Sequence, residues 1–164
     1  MTTSTLPTDA GLLVLRVGVG ATMAAHGTQK LFGWFDGGGL DGTDRFFTAS
    51  GYPSGKFFPV LAGLSETLGG IGLILGLFTP LAAAAILGVM LNAMSVKWGA
   101  GFFLPKGIEY EVVLATAAGG LALTGAGGFA FDRFLGLRDY KLAYGVGAIV
   151  LAFVAAGITL LIRN

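Results

Sequence analysis

The sequence predicts an all-α integral membrane protein, and three observations carry that expectation. Of 164 residues, 54% are hydrophobic and only 12% are charged, about half the charge of a soluble domain. The apolar residues fall in runs close to the ~20 that a spanning helix needs, and mean hydropathy is +0.80. Glycine occurs 29 times, which suits helices that approach closely in lipid.

The totals also exclude chemistries. A net charge of +1 gives no reason to expect a nucleic-acid partner. With no cysteine, the chain alone forms no disulfide, thiolate nucleophile or iron–sulfur site. With one histidine, it builds neither a bis-histidine haem nor a multi-histidine metal site, so no intrinsic cofactor is expected.

Residues 1–9 are read as a polar segment. They lack the basic residues of a cleaved leader, so the first apolar run is expected to be retained. Five spans are expected: Ala10–Gly33, Phe57–Phe78, Leu81–Val96, Ile108–Thr124 and Leu142–Ile162. The third and fourth are short for a crossing, which calls for little tilt or local thinning. Thr79-Pro80 separates the second from the third, because proline starts a helix well and breaks the end of one. Those two spans therefore form an antiparallel hairpin with almost no loop.

The loop 34–56 is longer and polar. Gly37-Gly38-Gly39 provides a hinge, and Asp41 or Thr43 is expected to cap a short helix whose Phe46 and Phe47 rest on the membrane surface. The loop 97–107 is rich in aromatics and glycine, as a turn dipping into the interface would be. A plain connector is the simpler reading of both. Residues 125–141 carry Phe131-Asp132-Arg133 and Arg138-Asp139-Tyr140-Lys141 and lie on the side of the N-terminus. Lys30, Arg45, Lys56, Lys97, Lys106 and Arg163 cluster at the other side, against Arg133, Arg138 and Lys141. The positive-inside bias puts loops 34–56 and 97–107 in the cytoplasm.

Polar residues converge at one depth. His26 precedes Trp34 by eight residues and Glu66 follows Phe58 by eight. Each then lies about 12 Å deep on antiparallel helices. Asn92 lies about 9 Å deep on the third span, and Glu109 and Glu111 lie near the same surface on the fourth. His26 and Lys30 share a helix face, as do Gly63, Glu66 and Gly70. The expected ligand pocket is built from His26, Gln29, Lys30, Glu66, Asn92 and Glu109, and His26 and Glu66 are its catalytic candidates. Each has a plainer reading: a histidine bonded to a neighbour, a lysine snorkelling, an asparagine joining helices, a glutamate offsetting a helix dipole. Glu66 has the weakest such reading, because a mid-span carboxyl without a role is rare. Unpaired it should have a raised pKa, and ionised it should pair with Lys30 or His26; either state suits proton exchange or hydrogen bonding to a polar head group such as a quinone's. Arg16 is read as structural, snorkelling or ion-paired with Asp132.

The residues Arg16, His26-Gly27-Thr28-Gln29-Lys30-Leu31-Phe32-Gly33, Glu66-Thr67-Leu68-Gly69-Gly70, Gly76-Leu77-Phe78-Thr79-Pro80 and Glu109 together resemble the DoxX family of small bacterial membrane proteins. The resemblance covers roughly residues 10–136. It implies a four-helix membrane bundle in the bacterial plasma membrane, with 142–162 as an additional C-terminal transmembrane helix. It also implies a redox setting, with thiosulfate:quinone oxidoreduction among relatives, and partners such as a superoxide dismutase, a sulfurtransferase or respiratory subunits. Cysteine-bearing relatives handle disulfides, a role closed to this chain unless a partner supplies thiols.

Three readings follow. The first is a membrane subunit of a redox or oxidative-stress-related complex that holds a quinone-like or amphipathic ligand. Any enzyme activity would then be that of a quinone-linked oxidoreductase subunit. The second is a non-catalytic scaffold or accessory subunit. The third is a small proton-coupled transporter, disfavoured by the lack of an inverted repeat.

Overall fold

A computed structural model describes residues 6–136 and 142–163, and among these the chain has helices joined by loops and no strand. The order is α1 (Leu6–Phe32), α2 (Gly39–Ala49), α3 (Phe57–Leu75), α4 (Thr79–Val96), α5 (Glu109–Thr124), a 3-10 turn (Phe131–Arg133) and α6 (Leu142–Ile162). Helices α1, α3, α4 and α6 are long and apolar enough to cross a membrane. Helix α5 has 16 residues, about 24 Å, which is short of a hydrocarbon core of about 30 Å. Its ends nevertheless lie at opposite ends of the bundle. Glu111 meets Lys97 at the end of α4, and Gly128, just beyond α5, donates to Asp9 at the start of α1.

Helix α1 begins earlier than expected and takes in part of the polar segment. Pro7 sits in its first turn, where no amide donor is needed. The expected side-chain cap of α2 is corrected. Gly38 occupies the cap position without a side-chain bond. Asp41 pairs with Lys56 at 2.8 Å, and the Thr43 hydroxyl donates to Gly39 O at 2.7 Å. The cluster Arg138–Lys141 lies outside the described residues.

Helix α4 is the centre, packed against α3, α5 and α6, while α1 packs along α3. The core joins Met23, Leu73, Ile86, Leu87, Met90, Leu114, Ala118 and Leu121. Helix α6 contributes the small stripe Gly145, Ala148, Ala152 and Ala156, the spacing that lets helices come close without a water-driven hydrophobic effect. The α1–α3 seam is tighter still. A Cβ at Gly70 would lie 2.5 Å from Gly20 O and 2.6 Å from Ala24 N. Gly70→Leu is therefore expected to push α1 off α3 and cost about 1–3 kcal/mol, read as a lower thermal midpoint in detergent. An unchanged midpoint would contradict this seam.

The α3–α4 hairpin is closed from both sides. Gly76, at φ +66°, ends α3 with Leu77 N donating to Gly72 O at 2.8 Å, a left-handed closure that glycine adopts freely. Arg16 is fully buried and donates to Leu73 O and Ile74 O, the last carbonyls of α3, and to Phe129 O. Asp132 accepts from Phe78 N at 2.8 Å and Thr79 N at 3.4 Å, at the start of α4. A cation at a helix C-terminus and an anion at a helix N-terminus both favour the helix dipoles. Arg16 therefore does not snorkel. It and Asp132 act on one turn, and their charges attract across it.

Candidate functional site

Apolar helices place a few polar side chains around a cavity of about 630 Å³. Its polar end lies beside loops 34–56 and 97–107 and includes His26, Lys30, Glu66, Asn92, Tyr110 and Glu111. Its apolar remainder follows α4 through Val89, Ala85 and Ala84 to Leu81, with Leu151 of α6 on its flank, while Leu61 of α3 lines it nearer the loops than Glu66. From Lys97 to Leu81 the trough runs about 24 Å along the helix axis. Leu61 is 43% exposed and Leu151 is 53% exposed while both line it. The cavity thus opens sideways, between α3 and α6, to the lipid-facing surface.

Four of the six expected pocket residues line the cavity: His26, Lys30, Glu66 and Asn92. Lys30 Nζ lies 2.5 Å from Glu66 Oε2, with side-chain exposures of 26% and 2%. The carboxylate is buried, and the lysine side chain that pairs with it stays partly exposed. A buried carboxylate is tolerable only with such a partner.

His26 and Glu66 do not bond each other. His26 Nδ1 lies 3.0 Å from Gln29 Oε1, and Nε2 lies 2.8 Å from Tyr110 Oη. Gln29 Nε2 donates to Phe35 O at 3.1 Å, which turns its acceptor oxygen toward His26. Nδ1 therefore donates to Gln29 Oε1, and Nε2 is hydrogen-bonded to the Tyr110 hydroxyl. Gln29 is not a wall of the cavity. It orients the ring of the histidine that is.

Asn92 Oδ1 accepts from Tyr52 at 2.9 Å and Thr159 at 2.8 Å, and Nδ2 donates to Gly88 O. It joins α4, α6 and the loop before α3. Burial raises the Tyr52 phenol above its ordinary value, against the pull of Arg163, and keeps it a neutral donor. Arg163 fastens the end of α6 to Ser50 O at 2.7 Å and Ser95 Oγ at 3.0 Å. Thr159→Val is expected to loosen α6 by about 1 kcal/mol, seen as faster amide exchange in its last turns. Unchanged exchange would remove Thr159 from this latch.

Glu109 turns away from the cavity, where Leu104 N approaches it at 3.4 Å. Its neighbour Glu111 lines the cavity instead and pairs with Lys97. Tyr110, Lys97, Tyr52 and Thr159 also line it and were not among the expected ligand residues. The signal for Glu111 was present. It continues the buried row Leu114, Ala118 and Leu121 of α5 at helical spacing. Among the described residues, no three His, Cys, Asp or Glu side chains converge as a metal would require.

The DoxX family model matches residues 11–99, from α1 to just past α4. No curated protein and no solved structure matches the chain.

Proposed function

The chain belongs to the DoxX family, and from that premise we propose that it is a membrane subunit of a redox or oxidative-stress-related complex. Its cavity holds a quinone-like or other single-tailed amphipathic ligand drawn from the bilayer. The carrying observation is the cavity's polarity. Hydrogen-bonding groups sit at one end, a trough of Ala, Val and Leu follows, and a lateral opening faces lipid. Ligand sites of this kind are mostly apolar, with a few convergent polar groups that fix orientation. Lys30–Glu66 and His26–Tyr110 orient the head and exchange protons with it. Loops 34–56 and 97–107 face the cytoplasm of a bacterial cell, and any electrons come from a partner protein.

Purification in mild detergent followed by extraction of bound lipids tests this reading. The native protein is expected to retain a defined amphiphile. Ala155→Trp is expected to lose it, because Ala155 lines the cavity on the exposed side of α6. Glu66→Gln is expected to retain less. Co-purified partner proteins with no ligand in either form would overturn the proposal in favour of a scaffold.

A further inference from the structure

The polar end of the cavity is layered by charge, with carboxylates behind and ammoniums in front. The Glu66 and Glu111 side chains are 2% and 6% exposed, while those of Lys30 and Lys97, which bond them, are 26% and 37% exposed. All four residues line the cavity. Each ammonium carries three N–H groups. One goes to a carboxylate, and among the described residues nothing else accepts from either lysine. Ser65 adds a further donor. It lines the cavity beside Glu66 on α3, is half-buried, and its hydroxyl bonds nothing among the described residues.

The acceptors at this end are spent or out of reach. Glu66 Oε2 and Glu111 Oε1 hold the ammoniums, and Glu111 Oε2 is sealed from the cavity. Asn92 Oδ1 already takes the Tyr52 and Thr159 hydroxyls. Hydroxyl oxygens remain, and a bond to a neutral hydroxyl is weaker than a bond from an ammonium. A head group therefore meets strong, unspent donors. An O–H or N–H brought against them loses its water without gaining a comparable acceptor.

We infer that the cavity selects an amphiphile whose head group accepts hydrogen bonds and donates none, held by Lys30 from α1, Ser65 from α3 and Lys97 from the end of α4. This rests on the reading of the cavity as an amphiphile site and deepens it. The shared chemistry is an unprotonated oxygen acceptor on one apolar chain. A carbonyl supplies it without charge, and an ionised carboxylate supplies it with charge.

The test uses the full-length protein in nanodiscs of zwitterionic lipid, with four probes titrated by native mass spectrometry. They are decyl benzoquinone, decyl hydroquinone under anaerobic reducing conditions, decanoate and decylammonium. The quinone is expected to bind about ten-fold tighter than the hydroquinone, and decanoate about ten-fold tighter than decylammonium or more. Whichever of quinone and decanoate binds tighter identifies whether the acceptor is neutral or charged, and either result supports the inference. The double variant Lys97→Met with Glu111→Met removes one ammonium without stranding its carboxylate, and both preferences are expected to shrink toward parity in it. If that variant does not fold, the wild-type ratios alone decide. Hydroquinone and decylammonium binding as tightly as quinone and decanoate would overturn the acceptor requirement while leaving the amphiphile site standing. Failure of all four probes would overturn both.

Discussion

Lys30→Met is expected to destabilise the protein by about 3–5 kcal/mol, the cost of stranding one member of a buried ion pair. Glu66 is almost wholly inaccessible, and Lys30 is its hydrogen-bonded cation at 2.5 Å. Without it the carboxylate must take up a proton or draw water into the bundle, and each costs stability. The double variant Lys30→Met with Glu66→Gln removes the charge problem and should recover much of the loss. Chemical or thermal unfolding in detergent of the four proteins in the cycle measures this. A double variant as unstable as the sum of the singles would mean that the two residues do not act as a unit.

Arg16→Lys is the second large effect, at about 3 kcal/mol, although the substitution keeps the charge. One guanidinium nitrogen serves Leu73 O and Ile74 O while the other serves Phe129 O. A lysine ammonium is a single point and cannot reach both sides of the Gly76 turn. The loss should appear as a lower unfolding midpoint together with protease sensitivity between 125 and 136. A lysine variant as stable as wild type would show that charge alone suffices there.

The helical layout was legible because the bilayer is so restrictive a solvent. Runs of apolar residues broken by Thr79-Pro80 and by the glycine-rich loops have few other solutions. What hydropathy cannot give is rotation. A helix such as α5, apolar on nearly every side below its first turn, carries little moment to say which face turns inward. Glu109 was expected in the pocket, and Glu111, two residues and about 200° further round, lines it. The level of His26 and Glu66 followed from helical rise. Tyr110 as the partner of His26 did not, because it approaches through tertiary packing, and for Glu66 the fold alone selects Lys30 over His26, the two cations open to it. Arg16 shows the same limit. Snorkelling is the default for an arginine near a span end, and only the fold brings the α3 carbonyls and Phe129 within its reach.

The central claim is a single amphiphile lying in the cavity between α3, α4 and α6 with its head at Lys30–Glu66. Photo-crosslinking with a diazirine-tailed amphiphile in native membranes tests it most directly. Peptide mass mapping is expected to find adducts concentrated on Leu81, Ala85 and Leu151, and competed away by the unlabelled compound. Adducts spread equally over Leu68 and Phe153, which are exposed but do not line the cavity, would contradict it.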